Sequence, residues 1–326
     1  MNHFPYTGSG PYCYANSFAM MFGDHAPSTA VIEFATGSPF GMQLVGGTLP
    51  FFDPYGWVPE AGFDEAQRIL GWTSTVTHGA SAADAMDRLR AALADGPVWA
   101  GPVEMGHLRH QPKMTGPIGA DHYVVVLDAD DERVVLHDPQ GYPYAELPTP
   151  LFTAAWAADS LTYGTAYTMR TGFRRVREVA EVDAIRAALP AARRWLSMTA
   201  GTDMPPDSAG NGAAAEGLAK LAEGREDFAE VREHLVAFAV RVGTRRLADA
   251  ATCLSRAGLD DAARVAGTQA RLVGSLQYPL VTRDGATVAA ILRRLAPTYD
   301  ELAAALDTAA ATAAEAMRTR SSSPVT

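Results

Sequence analysis

Cysteine is scarce in this sequence, which excludes a fold held together by disulfides. The 326 residues include two cysteines, Cys13 and Cys253, whereas disulfide-rich secreted scaffolds need several pairs. The first residues show neither a basic start nor an apolar run of signal-peptide length. No stretch reaches the roughly 18 consecutive apolar residues that indicate a transmembrane helix. We therefore expect a cytoplasmic protein that has no membrane segment.

Positive charge is also in short supply. Lysine and arginine together number 27, against 37 aspartates and glutamates, which gives a net charge of -10. Nucleic acids and anionic membrane surfaces select for clustered positive charge, so neither is an expected partner. No glycine cluster has the strand–GxGxxG–helix context of a dinucleotide site, and we expect no cofactor. The hydrophobic share of 48% is sufficient for a sizeable core.

The character of the sequence changes near residue 170. The first half is rich in glycine, proline and aromatic residues and has several β-like runs, whereas the second half is rich in alanine, arginine, glutamate and leucine at helical spacing. This pattern predicts an α+β domain over residues 1–170 and an all-helical domain over residues 171–326. Within the first, PVWAGPV (97–103) predicts a buried strand, and SAADAMDRLRAAL (81–93) predicts an amphipathic helix with Ser81 as its N-cap. Within the second, the Gly-, Pro- and Ser-rich segment 199–217 predicts a mobile loop.

Cys13 is a candidate nucleophile because of its position. The segment CYANSFAMMFG predicts a helix that begins near Cys13 and ends at Gly23, after a loop rich in glycine and proline. Reactive cysteines commonly occupy helix N-termini beside an imidazole, which favours the thiolate. The alternative interpretation is a small buried core residue, as most free cysteines are.

Two β-rich runs, 122–128 and 133–138, predict a hairpin that contains the remaining candidates. If the turn comprises Ala129–Asp131, Tyr123 faces His137 and His122 faces Asp138, so that the second pair lies on one side of the sheet. Asp138 would then orient His122 towards a thiol. A slip of one residue would select His137 instead. The alternatives are a strand-end histidine bound to backbone and a turn-forming aspartate.

These motifs together resemble the papain-like cysteine fold. A helix-starting cysteine followed at a distance by DHYVVVLD and VVLHDPQG is similar to its bacterial forms, which include the double-glycine peptidases. The runs APSTAVIEFATGSPFG and GFDEAQRILGW resemble the butirosin-biosynthesis acyltransferase family, in which a papain-like domain precedes a helical one. The resemblance implies a papain-like domain at residues 1–170.

The same resemblance implies an enzyme of antibiotic or other secondary-metabolite biosynthesis. It would pass an acyl group from a carrier-protein thioester through Cys13 to an amine of a small-molecule intermediate, with His122 as base and acid and Asp138 as its orienting partner. Papain-like peptidases place a glutamine upstream of the cysteine, and residues 1–12 contain none. We expect Tyr12 or Asn16 to contribute to the oxyanion site instead, although Asn16 also fits an ordinary helical position.

Other functions use the same residues. A cysteine peptidase or amidohydrolase would need the same trio, whereas a protein that promotes ring closure of a biosynthetic intermediate would need only the fold and its polar groups. A non-catalytic scaffold is a further alternative. The Ala-rich helices would provide either a substrate wall or an interface for a homo- or hetero-oligomer.

Several charged residues outside the trio are weaker candidates. Glu33 and Glu104 are predicted to line a polar pocket for an aminated substrate, the alternative being surface charges. His107 and His110 have a spacing that fits a metal only weakly, and we favour exposed loop histidines and no metal. A cluster of three arginines is predicted to contact an acidic carrier protein, namely Arg174, Arg175 and Arg177.

Overall fold

The computed structural model describes residues 11–79, 81–201, 203–224 and 228–321, with the backbone alone for 313–321. The chain is mixed α and β and has a helical C-terminal region, as the sequence predicts. It divides into two compact units, Met1–Ile32 with Phe63–Val179 and Glu33–Gly62 with Ala180–Thr326. The predicted boundary at residue 170 falls inside a strand of the first unit, and residues 33–62 group with the second unit.

The first unit is built on a six-stranded antiparallel sheet in the order β3-β8-β4-β5-β6-β7. The strands are β3 (Trp72–Thr77), β4 (Val98–Glu104), β5 (Asp121–Ala129), β6 (Arg133–Asp138), β7 (Tyr142–Pro148) and β8 (Met169–Arg175). The central strand β4 is buried over its whole length, which confirms the strand predicted from the apolar run at 97–103.

Three helices lie wholly within the first unit, namely α1 (Cys13–Phe22), α4 (Ala82–Leu93) and α5 (Thr149–Ala157). Helix α1 confirms the predicted element, and α4 begins after Ser81, whose hydroxyl accepts a hydrogen bond from the backbone of Asp84 as a predicted N-cap should. Leucine, valine and tryptophan side chains from the sheet, α4 and α5 form one apolar core. On α1, Phe18 packs against Trp99 of β4. Helix α1 is thereby held against the central strands.

Two further helices, α2 (Thr29–Ala35) and α3 (Pro59–Leu70), contain two of the three points at which the chain passes between the units, and the third lies between Val179 and Ala180. The second unit consists mainly of helices, which are α6 (Glu181–Leu196), α7 (Asn211–Glu223), α8 (Phe228–His234), α9 (Val240–Arg256), α10 (Asp260–Ser275), α11 (Gln277–Val281), α12 (Gly285–Leu295) and α13 (Thr298–Ser321). A π-helical turn, Leu235–Ala239, joins α8 to α9.

The C-terminal region is mostly helical, as predicted, although the second unit is not free of strands. This unit contains a small antiparallel sheet of β1 (Gln43–Val45), β2 (Leu49–Phe51) and β9 (Ala209–Gly210) in the order β2-β1-β9. Strand β9 and the start of α7 occupy part of the segment 199–217, so the loop prediction for that part is wrong. Glycine, proline and serine give the segment a loop-like composition, but backbone pairing of β9 with β1 orders this part of it.

A glycine on α9 controls how closely that helix approaches the rest of the second unit. A Cβ atom at Gly243 would lie 2.5 Å from Cβ of Phe52, so a larger residue would push the helix away. Arg246, one turn later, can therefore reach Asp53. Among the described residues, no helix combines the length and the apolar character needed to cross a membrane.

Candidate functional site

Cys13 is the first residue of α1, as predicted. The preceding residue, Tyr12, has a non-helical backbone with φ -163° and ψ 45°, and it caps the helix with no side-chain hydrogen bond. Backbone N–H groups in the first turn of a helix have no partner within that helix, so they point towards an incoming negative charge. Cys13 is partly exposed and therefore accessible to a reagent or substrate.

His122 lies between Cys13 and Asp138. Its Nε2 is 2.8 Å from Oδ1 of Asp138, and its ring is also hydrogen-bonded to the thiol of Cys13. Burial of the ring lowers its pKa, but the charge and hydrogen bond of Asp138 outweigh that effect and raise the pKa of His122 to about 10. The imidazole is thus protonated at neutral pH.

Asp138 is fully buried and accepts hydrogen bonds at both carboxylate oxygens. Besides His122, Oδ1 accepts from the backbone N–H of Gln140 at 2.8 Å. Oδ2 accepts from Nε2 of Gln111 at 2.6 Å and lies 2.8 Å from Nε2 of His110. Burial favours the neutral acid, but the charge of His122 and these hydrogen bonds hold the pKa of Asp138 well below its ordinary value.

The strand register differs from the predicted one by two residues. Val125 pairs with His137, whereas the predicted register places Tyr123 there. Beside the turn Ala129 pairs with Val134, which shifts the register by three residues, and an extra residue in β5 between Val126 and Asp128 takes one of them back. His122 therefore lies diagonal to Asp138 and not directly opposite. A shift of two residues leaves every side chain on its original face, since side chains alternate with a period of two. The predicted pair consequently meets although the predicted register was wrong.

His137 does not join this site. Its Nδ1 accepts a hydrogen bond from the backbone N–H of Tyr144 at 3.1 Å, and its ring packs edge-on against the ring of Tyr144. Neighbouring residues on a strand point to opposite faces, so His137 and Asp138 diverge. This placement agrees with the choice of His122 over His137.

Glu104 anchors a loop, contrary to the predicted role in a substrate pocket. Its buried carboxylate accepts hydrogen bonds from the backbone N–H groups of Gly106, Ile118 and Gly119, and from the hydroxyl of Ser160. These bonds hold its pKa below the ordinary value even though burial acts in the opposite direction. With its oxygens committed in this way, Glu104 ties the start of the loop 105–120 to its end.

The two predicted oxyanion contributors are both buried. Asn16 is 1% exposed and lies one turn after Cys13 on α1. Its Nδ2 has no hydrogen-bond partner within the described part of the chain. Tyr12 is 2% exposed and directly precedes the cysteine. The Nδ2 group of Asn16 is therefore a donor of the kind that an oxyanion site needs. Residues 1–10, which precede the cysteine, lie outside the described residues.

Glu33 belongs to a buried ion pair, not to a substrate pocket as predicted. Its Oε1 lies 2.7 Å from Nε of Arg246 and accepts a hydrogen bond from the hydroxyl of Ser38, also at 2.7 Å. The same guanidinium donates to Oδ2 of Asp53 at 3.0 Å. No local pattern predicts Arg246 as the partner of Glu33, because 213 residues separate the two.

His110 and Gln111 are the functional candidates that the sequence analysis missed. His110 was predicted to be an exposed loop histidine, yet 9% of its side chain is exposed and its ring faces Asp138. The run GHLRHQ is the pattern that could have indicated this role, because two histidines and a glutamine follow a buried strand within a few residues. Within the described residues, no group of three or more His, Cys, Asp and Glu is arranged to hold a metal ion.

Comparison with known proteins finds similarity to one uncharacterized bacterial protein. Residues 205–307 match the YobF C-terminal domain family, and this region contains Arg246 but none of the trio. The chain is 32% identical over 161 residues to the uncharacterized protein YobF of Bacillus subtilis (strain 168), which covers 48% of this chain and 52% of that protein. The matched part spans about half the length of this relative.

Proposed function

We propose that this protein catalyses acyl transfer through a thioester on Cys13. The observation that carries the proposal is one imidazole placed between a partly exposed thiol at a helix N-terminus and a fully buried carboxylate. This order of groups is what activates a nucleophile in cysteine enzymes. An antiparallel sheet with the cysteine-bearing helix packed against it supports a papain-like domain as part of the same proposal.

The first half-reaction forms the acyl-enzyme. The thiolate of Cys13 adds to the carbonyl carbon of the donor thioester, and the bond from that carbon to the donor sulfur breaks. His122 gives its proton to the departing thiolate, so the donor leaves as a free thiol. Asp138 stabilises the imidazolium before this transfer, and the N-terminus of α1 stabilises the oxyanion that forms on the way.

The second half-reaction releases the acyl group. An amine adds to the same carbonyl carbon, and the bond to the sulfur of Cys13 breaks. The proton lost by the amine passes to His122, which restores the thiolate and imidazolium. The products are an amide and the starting enzyme, so no oxidant, metal or cofactor enters the balance.

The donor and acceptor are proposed from the resemblance to butirosin-type acyltransferases, namely an acyl carrier protein and an amine of a small natural-product intermediate. Arg174, Arg175 and Arg177 are all exposed, as a contact with an acidic carrier requires. Arg175 already pairs with Glu178 at 3.3 Å. Reversing the three charges should slow transfer from the carrier protein at low salt and leave transfer from a small thioester unchanged.

Intact-mass measurement tests the central claim. The protein is incubated with an acylated carrier protein or an acyl-N-acetylcysteamine thioester, and the adduct is located by peptide mapping. We expect one acyl group on Cys13 and none in the Cys13→Ala variant. Cys253→Ala is the matched control, because Cys253 is fully buried and burial raises the pKa of its thiol to about 12.

The fate of the adduct separates the competing functions. Discharge by an added amine supports the transferase, whereas equally fast discharge by water alone indicates a hydrolase. A protein that forms no adduct on Cys13 with any thioester is not a thiol-dependent acyltransferase, and ring closure of a bound intermediate then becomes the leading function.

A further inference from the structure

Asp138 divides its two oxygens between two different parts of the first unit. Oδ1 faces His122 on β5 at 2.8 Å. Oδ2 faces the loop 105–120, from which His110 and Gln111 approach to 2.8 and 2.6 Å. A carboxylate held on both oxygens cannot rotate about its Cβ–Cγ bond without breaking hydrogen bonds. The loop therefore fixes the direction in which Oδ1 points, together with the backbone N–H of Gln140, from which Oδ1 accepts a hydrogen bond at 2.8 Å.

The chemistry of the site explains why the loop donors are needed. In the proposed cycle His122 is alternately charged and neutral, so Asp138 loses its counter-charge in the first half-reaction and regains it in the second. A buried carboxylate without such a charge is costly unless other donors remain. Gln111 and His110 do not take part in the proton transfer, and they can keep the ionised form of Asp138 stable throughout.

The hydrogen bonding of His110 assigns its tautomer. Nε2 faces a carboxylate oxygen and must carry a proton to donate. Nδ1 is buried with no hydrogen-bond partner among the described residues, which fits a nitrogen that bears no proton. The ring packs against Tyr142, with centroids 5.4 Å apart. His110 thus acts as a fixed N–H donor.

The loop is held firmly enough for this role. Glu104 accepts hydrogen bonds from backbone N–H groups at both ends of the loop. Within the loop, the guanidinium of Arg109 donates to the carbonyl oxygen of Thr115 at 2.6 Å. A Cβ atom at Gly106 would collide with the carbonyl oxygen of Gly116, so only glycine allows the loop to close this tightly. The loop donors are consequently in place before a substrate binds.

We propose that His110 and Gln111 are positioning residues, which hold Asp138 ionised and directed at His122 while His122 cycles between its charged and neutral forms. The inference rests on the proposed function of the trio, and it adds the loop 105–120 to that site. Neither residue touches the reacting atoms in this proposal. The charged or titratable groups that face Asp138 in the described residues include His122 and His110, with Cys13 beyond His122.

The experiment compares His110→Leu, which removes the donor, with His110→Gln, which retains an N–H at the same distance along the side chain. Alkylation of Cys13 by iodoacetamide is followed as a function of pH. Without the donor, Asp138 takes up a proton more readily and His122 is held less well. We expect the acid limb of the His110→Leu profile to move to higher pH by about one to two units, the effect of one hydrogen bond to a charged group.

Two further variants guard against a folding artefact. His107→Leu alters a neighbouring histidine of the same loop and should leave the profile unchanged, and His110→Gln should restore most of the wild-type profile. Gln111→Met should move the limb in the same direction as His110→Leu. Thermal melting identifies any variant that fails to fold, and the nitrogen NMR signals of His122 report its hydrogen bond to Asp138 directly.

An unchanged alkylation profile and unchanged His122 signals in folded His110→Leu and Gln111→Met would overturn the inference. A shift that His110→Gln does not rescue, or that His107→Leu reproduces, would also overturn it, because the effect would then be a general one of the loop. If the wild type forms no acyl-enzyme while His110→Leu still alters the His122 signals, the proposed function fails and the positioning role stands.

Discussion

Each of the two compact units buries a carboxylate centre, Asp138 in the first and the pair Glu33 and Asp53 in the second. In the first unit the balancing charge is the imidazole of His122. In the second it is the guanidinium of Arg246, which reaches both carboxylates at 2.7 and 3.0 Å. An imidazole can release its proton near neutral pH, whereas a guanidinium cannot.

The surroundings of the two centres follow from this difference. The imidazole also contacts a partly exposed thiol, so it can transfer its proton to a group that reacts there. The guanidinium lies near Trp57, with its central carbon 5.5 Å from the ring centroid, and is 4% exposed. Burial and the charge of Asp53 raise the pKa of the nearby Tyr299 hydroxyl, so this hydroxyl keeps its proton and adds no charge to the second centre. The first centre suits chemistry and the second suits structural stability.

The largest expected effect is on activity, from His122→Gln. This change removes the group that moves the proton and should reduce acyl-enzyme formation by about 10²- to 10⁴-fold, the contribution of a positioned acid–base group. Rapid-quench measurement with an acyl thioester gives the rate, and circular dichroism checks the fold. If His122→Gln formed the acyl-enzyme at the wild-type rate, the first centre would not be catalytic, and the proposed difference between the two centres would be wrong.

The next effect is on stability, from Arg246→Met. Two buried carboxylates would lose their counter-charge, and breaking such a pair costs about 3–5 kcal/mol. Urea unfolding measures the free energy of unfolding. The triple variant Glu33→Gln, Asp53→Asn, Arg246→Met should recover much of the loss because it leaves no unpaired charge. A loss below about 1 kcal/mol in Arg246→Met would show that the centre is not structural.

The pH dependence of stability should separate the two centres. The pKa of His122 is raised from 6.5 to about 10, so its charged form stabilises the fold fully below pH 6.5 and this contribution is lost as the pH rises to about 10. The pKa of Asp138 is lowered, so its contribution is present above its ordinary value of about 3.9 and is lost as the pH falls through the lower folded value.

The measurement is urea unfolding at several pH values for the wild type, His122→Gln and the triple variant Glu33→Gln, Asp53→Asn, Arg246→Met. The difference in unfolding free energy between wild type and His122→Gln should shrink between pH 6.5 and about 10. The difference for the triple variant should stay constant over the same interval, since arginine does not titrate there and the variant leaves no carboxylate at the centre. If the difference in unfolding free energy changed with pH in the same way for both variants, the proposed distinction between the two centres would be wrong.

The smallest effect is expected at the surface. Arg293 forms a two-point ion pair with Glu223, at 2.7 Å for both contacts, but both side chains are nearly half exposed. Arg293→Ala should therefore change the free energy of unfolding only slightly, since solvent screens an exposed ion pair. The same unfolding assay provides the value. A loss as large as that of Arg246→Met would mean that burial is not what distinguishes the two ion pairs.

Local pattern was enough to predict several elements of this protein. The helix that begins at Cys13, the N-cap at Ser81 and the buried strand β4 all follow from spacing over a few residues. The alternation of side chains also placed His122 and Asp138 on one face. That prediction survived a register error of two residues because an even shift preserves the face.

Tertiary structure alone decided the rest. The irregularity in β5 is set by strand pairing, and the position of His110 and Gln111 is set by a loop that Glu104 closes from 14 and 15 residues away. Arg246 meets Glu33 across 213 residues of sequence, and their pairing depends on Gly243 allowing a close approach. The sequence by itself determined elements whose energetics are local. The partners of Asp138 and Glu33 were left to folding, because a buried charge is stabilised only by groups that packing brings to it.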